Sequence, residues 1–441
     1  MRRGAKRSGR GQRKLARVAD SLAHQLPWIN LVNPYPPLEP LSGDQLGAIH
    51  EASMTVLEDY GIEVLSERVR ASFRGAGARV DDSRGIVRPD RELVLDLVAR
   101  APGAFSLTPR NPNRRLEVGG AHIHFGMVSG PPNVHDCVNG RRPGNFADYE
   151  RLVQLGQTFN AIHFFGNQSV APIDLPAQTR HLDTYRASLI LSDKVFSAVP
   201  IGRGRVRDAV EMVARARGLS LGELAISPSL FGNININSPR KLDEAMSEGA
   251  LALAEYGQAV IVTPFTLMGA MTPVTLAAGL VQQNAEALFG IAMVQLFFPG
   301  TPVVYGGFTS NVDMRSGAPA FGTPENAKAN LAGGQLARHY GLPYRSSGCN
   351  ASNTADAQAV YETQMSLWSA VLGNGNLLYH AAGWLEGGLV ASFEKVIIDV
   401  EMLQNLTCLF SKPKVNTEEL ALDAIGAVPP GGHFFGTVHT M

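Results

Sequence analysis

Charge is what this chain has little of. Asp, Glu, Lys and Arg make up 18% of its 441 residues, 39 basic against 39 acidic, for a formal net charge of zero. Such a balance creates no field that would draw nucleic acid or an anionic membrane, so neither is expected as a partner. Cysteine is scarcer still: Cys137, Cys349 and Cys408 are odd in number and far apart. That argues against a disulfide framework or a cysteine-rich zinc site and fits a reducing cytoplasm; no secretory signal is visible. No GxGxxG follows the first strand candidate and no GxxxxGK[ST] occurs, so the standard dinucleotide and P-loop phosphate cradles are missing. Residues 258–285 contain no Asp, Glu, Lys or Arg, but Pro264 and Pro273 break the run. It reads as a buried strand at 259–265, a loop and a helix start, not as a membrane span.

Residues 1–19 carry eight Arg and Lys among Gly and Ser with little apolar content, and are expected to form a mobile tail, ahead of a nucleic-acid arm or an organellar presequence. Residues 1–40 as a whole read as a basic, proline-containing flexible segment. Helical spacing at 43–60, 67–77 and 90–100, with an extended piece at 62–65, makes 41–110 a helical N-terminal layer. From residue 122 the pattern alternates. Short apolar or β-branched runs at 123–128, 161–166, 195–199, 226–233, 259–265, 302–308, 344–348 and 376–379 are each followed by a helical segment. Ser238-Pro239 and Thr323-Pro324 read as helix starts, with Gly257 and Gly341 as stops. Eight such units fit a closed (β/α)8 barrel over 111–441 better than an open doubly wound sheet.

In such a barrel the chemistry belongs to the loops after the strands. These supply Asn167 and Gln168; Asn233, Asn235 and Asn237; Phe265, Thr266 and Met268; Phe308, Thr309 and Asn311; Cys349 and Asn350; and His380, Trp384 and Glu386. The last three stand in 375–403, which reads as a strand at 376–379, a glycine-rich turn and a helix from Leu389 with Val390, Phe393, Ile397, Val400 and Leu403 on one stripe. Glu362, in a helix expected over 356–372, is close enough to this rim to point into it. Rings and amides with few charges suit a compact organic cation. The candidate binding residues are therefore His380, Trp384, Glu386, Glu362, Phe308, Asn350, Gln168 and Phe265, with no catalytic group assigned. The alternative is that each ring is packing and Glu362 is scaffold. The His122-Ile-His124 pair resembles the metal-binding HxH of amidohydrolase barrels, but it precedes its strand and no further ligand set completes a shell, so no metal site is expected. Cys349 reads as a buried thiol in preference to a nucleophile.

LLYHAAGWLEGGLVASFEKVIIDVEML, with DMRSGAPAFGTPE at 313–325, ADAQAVYET at 355–363 and GGHFFGTVHT near the end, resembles the trimethylamine methyltransferase family. The resemblance runs from about residue 41 onward. It implies a TIM barrel that moves a methyl group from a methylated amine to the cob(I)alamin of a separate small corrinoid protein, with no cofactor tightly bound in the barrel itself; a homo-oligomer is expected besides. Archaeal members carry pyrrolysine in the segment corresponding to 346–353. Here that segment is SSGCNASN, which resembles the non-pyrrolysine branch, some of whose members demethylate quaternary amines such as glycine betaine. Members usually continue past the HT motif where this chain stops, so a truncated C-terminus is expected. A metal-dependent barrel hydrolase and a betaine-binding relative without turnover are the alternative readings.

Overall fold

Eight strands close the barrel. The computed structural model describes residues 25–441, so the basic stretch at 1–19 lies outside the described residues. The strands are β1 (His122–Met127), β2 (Phe164–Phe165), β3 (Val195–Ala198), β4 (Phe231–Ile234), β5 (Ala259–Val262), β6 (Val303–Gly306), β7 (Tyr344–Ser347) and β8 (Leu377–Ala382). They pair in sequence order, all parallel, and β8 pairs back onto β1, so no edge is left open. Around them lie α1 (Phe146–Thr158), α2 (Arg180–Leu191), α3 (Arg203–Arg217), α4 (Glu244–Glu255), α5 (Leu276–Phe297), α6 (Pro324–His339), α7 (Ala357–Leu372) and α8 (Phe393–Leu409).

The helix starts follow capping chemistry. Thr323 caps α6 ahead of Pro324, and Asp243 and Asp356 cap α4 and α7 through their carboxylates. Ser238-Pro239 is not a helix start; it is a cis turn leading into a short strand, Lys241–Leu242, and α4 begins only after Asp243. Three strands also depart from the sequence expectation. The run at 226–233 opens with the turn that follows a short helix, Leu221–Ala225, and β4 begins only at Phe231. The runs at 259–265 and 302–308 each break, so that Phe265–Met268 and Phe308–Val312 leave the barrel and pair with each other in a small sheet above it. Finally, Val390 belongs to a strand, Val390–Ser392, and not to the helix, which starts at Phe393 behind its cap Ser392.

The barrel interior is filled by Phe164, Val195, Phe231, Ile261, Val304, Leu377 and Tyr379, and a hairpin (Ala104–Leu107 with Leu116–Gly119) plugs its N-terminal end with Leu107, Leu116 and Val118. The N-terminal layer is mixed, not purely helical: helices Gly43–Thr55, Glu67–Gly75 and Arg91–Val98 accompany a sheet of Ile62–Val64, Arg79–Asp81, Ile86–Arg88 and Lys241–Leu242. The three helices cover α5. Phe73 stacks on Phe289 at 4.9 Å between ring centres, and the Ser53 hydroxyl donates to the Val281 carbonyl (3.1 Å). Every residue from 283 to 295 of α5 is consequently buried. Burial accounts for the lack of charge in β5, which is buried throughout, whereas the first turns of α5, 276–282, are only partly buried. Among the described residues no helix is long and apolar enough to cross a membrane.

Candidate active site

At the C-terminal ends of the strands lies a cavity of about 340 Å³. Its wall includes Phe265, Phe308, Trp384, His380, Tyr379, Arg345 and the amides of Asn167, Asn233 and Asn235. The ring positions follow from the two small sheets above the barrel. Phe265 and Phe308 are register partners in one, 5.1 Å apart between centroids. Trp384 pairs with Ala391 in the other. Its indole stands 4.1 Å from the His380 ring and 6.4 Å from Phe308. Asn350 lies wholly inside and fastens the tryptophan at both ends: its side-chain amide donates to the Trp384 carbonyl (2.6 Å), and the indole N–H donates to the Asn350 carbonyl (3.2 Å). Gly388, at φ +111°, leaves no room for a side chain, since a Cβ there would sit 2.7 Å from the indole.

Tyr379 and His380 are neighbours on β8, yet both face the cavity. A regular strand would send them to opposite faces. The register between β8 and β1 shifts between Leu378 and Ala382, and His380 has φ +57°, a conformation that residues other than glycine seldom adopt. This bulge turns the imidazole inward. It also extends β8 to Ala382, past the end at Tyr379 expected from the sequence. His380 Nδ1 accepts the Ser129 backbone N–H (3.3 Å), while Nε2 lies 3.4 Å from a guanidinium nitrogen of Arg345. Burial, followed by the Arg345 charge, holds the imidazole well below its usual pKa, so it is neutral at physiological pH.

Arg345 is the group that sequence reasoning passed over. It lies on the interior face of β7, 2% exposed, sandwiched between the rings of Phe308 (4.8 Å) and Tyr379 (4.6 Å), and it donates to the Gly307 carbonyl (3.3 Å). Among the described residues no carboxylate pairs with it, and the cavity lining contains no Asp or Glu. The available signal was an arginine inside a run otherwise suited to a strand buried on both faces.

Of the eight candidates, the structure brings His380, Trp384, Phe308 and Phe265 together on the cavity and leaves the other four off it. Glu362 is turned away: its carboxylate accepts the backbone N–H groups of Ala351 and Ser352, each at 2.9 Å, and a Gln358 amide proton. Asn350 acts on Trp384 from behind. Gln168 reaches Thr184, and Glu386 pairs with Arg141 (3.1 Å) at the rim. Cys349 is buried and burial pushes its thiol pKa up, so it stays protonated at neutral pH. His124 sits at the opposite end of the barrel, donating from Nε2 to the Glu117 carbonyl (2.7 Å), and among the described residues no three His, Cys, Asp or Glu side chains gather to hold a metal.

A cavity of rings, amides and one buried cation at the strand C-termini of a (β/α)8 barrel defines a barrel enzyme for a small organic substrate. The trimethylamine methyltransferase (MTTB) family model matches residues 6–441, and the chain belongs to this family and is a methyltransferase. It is 38% identical over 401 residues to a glycine betaine methyltransferase of Desulfitobacterium hafniense, covering 91% of this chain and 83% of that protein. Trimethylamine methyltransferases of Desulfitobacterium hafniense and Methanosarcina barkeri are each 29% identical, covering 90% of this chain and 80% and 81% of theirs. A solved Methanosarcina barkeri monomethylamine methyltransferase overlays with a TM-score of 0.48 at 10% identity, covering 87% of this chain and 84% of that chain.

Proposed function

We propose that this methyltransferase takes a methyl group from a quaternary or tertiary methylated amine, a betaine being the favoured case, and passes it to the cob(I)alamin of a separate corrinoid protein in the cytoplasm. The observation that carries this reading is the ring-lined cavity of Phe265, Phe308 and Trp384, which offers aromatic faces to an alkylated nitrogen. The corrinoid, when its carrier docks, supplies a strongly nucleophilic cobalt(I) centre. What remains for this chain is to hold the substrate with one methyl group presented toward the opening and to exclude water. A quaternary nitrogen leaves as a neutral tertiary amine, so its departure requires no proton. That agrees with a lining whose one imidazole is neutral and which contains no carboxylic acid. The 38% identity to a glycine betaine methyltransferase supports the quaternary case.

The test is turnover of glycine betaine by the purified protein with cob(I)alamin, free or on a corrinoid carrier, followed by the cobalt absorbance change and by dimethylglycine. Stoichiometric dimethylglycine is the expected result. Tight betaine binding with no methyl transfer would overturn the catalytic reading in favour of a binding role.

A further inference from the structure

Three donors in the cavity wall, on His380, Arg345 and Tyr379, have no acceptor. A neutral imidazole can accept at only one nitrogen. The Ser129 N–H has the His380 Nδ1 as its acceptor, which leaves the proton on Nε2. That N–H then faces an Arg345 N–H across 3.4 Å, two donors with nothing between them. The Arg345 Nε and the Tyr379 hydroxyl are both buried without a hydrogen-bond partner. The neighbouring Ser197 hydroxyl donates to the Ala198 carbonyl. A buried guanidinium with no counter-ion is costly, and a bare organic cation brought beside it would be repelled.

Depth decides which end of a substrate answers this. Arg345 lies within the barrel strands, whereas Phe265 and Phe308 stand in the small sheet beyond the strand ends. We propose that Arg345, assisted by His380 Nε2–H and the Tyr379 hydroxyl, is the specificity determinant of this site and receives a carboxylate that the substrate must carry, so that the substrate is zwitterionic and enters carboxylate first. This rests on the methylated-amine reading above and narrows it. The carboxylate neutralises Arg345 and supplies the common acceptor, and its own charge offsets the repulsion between the guanidinium and the ammonium group. The alkylated nitrogen is left among the rings nearer the opening, where a methyl group can be reached.

Calorimetry with matched ligands tests this on the intact protein. Glycine betaine and its longer-chain homologues carry the carboxylate; choline and tetramethylammonium carry the same cation without it. Wild-type protein is expected to favour the best carboxylated ligand over choline by at least about tenfold, the scale of a charge-assisted hydrogen bond lost. Arg345→Gln should bring that ratio toward one, Arg345→Lys should restore part of it, and Tyr379→Phe should reduce it by a smaller factor. A merely structural arginine would weaken all ligands alike. Should Arg345→Gln not fold, the wild-type ratio and Tyr379→Phe decide. Choline bound as tightly as every carboxylated ligand, or a ratio unchanged in Arg345→Gln, overturns the carboxylate assignment while leaving the methylated-amine reading intact. Failure of all these ligands to bind would overturn both.

Discussion

At the scale of single residues, the cavity is organised by Trp384 and the group that holds it. The indole is within 4.1 Å of the His380 ring, and its backbone and its N–H are both tied to Asn350. Trp384→Ala is expected to weaken binding of a quaternary amine by about 1–2 kcal/mol, the worth of a desolvated cation-π contact, as measured by calorimetry. Unchanged affinity would remove the ring from the binding surface. The places of Trp384, Phe265, Phe308 and His380 on the cavity wall could be read from the chain because each follows a strand, and the loops after strands gather at that end of a barrel. Arg345 could not: its neighbours Tyr344 and Ser346 face the surrounding helices, and only the three-dimensional closure shows that the residue between them faces a cavity with no acid in it.

At the scale of elements, Glu362 shows how a helix residue near a functional rim can serve the rim's backbone instead of its ligand. From the second turn of α7 its carboxylate gathers two successive N–H groups of the loop after β7, and that loop carries Asn350. Glu362→Gln keeps the shape but replaces charge-assisted hydrogen bonds with weaker ones. The expected loss is about 1–3 kcal/mol of stability, seen as a lower midpoint in thermal or urea unfolding, with ligand affinity falling only as far as the loop loosens. An unchanged midpoint together with a large loss of affinity would place the carboxylate in the site after all. Spacing located α7 to within one residue, because amphipathic periodicity and the Asp356 cap are local signals. It missed the breaks after β5 and β6 and the strand at Val390–Ser392, since pairing between distant loops leaves no local signature.

At the scale of the whole molecule, a buried imidazole makes the N-terminal end of the barrel sensitive to acid. At the N-terminal end His124 is fully buried and its pKa is pushed down to about 4, chiefly by burial. In the unfolded chain it returns to about 6.5, so between those values the unfolded state binds more protons than the folded one. Stability contributed by this group is therefore complete above about pH 6.5 and is lost as pH falls toward 4, at most about 3.5 kcal/mol at about 1.4 kcal/mol per unit. Unfolding midpoints measured from pH 7 to 4.5 should fall, and should fall less steeply in His124→Asn. Parallel slopes would assign the acid sensitivity elsewhere.

The covering of α5 by the N-terminal layer has a temporal side. A ribosome delivers the helices Gly43–Thr55, Glu67–Gly75 and Arg91–Val98 well before α5 leaves the exit tunnel, so the apolar faces that will meet it must wait through the synthesis of four strand-helix units. Once α5 does emerge, its stretch 283–295 has no solvated face to present and must find both the sheet and the waiting layer. This is the interval in which the nascent chain is most exposed to chaperones and to its own neighbours. Without the three helices that cover it, the stretch 283–295 of α5 would stand exposed on a fully synthesised barrel, which is expected in the insoluble fraction after expression.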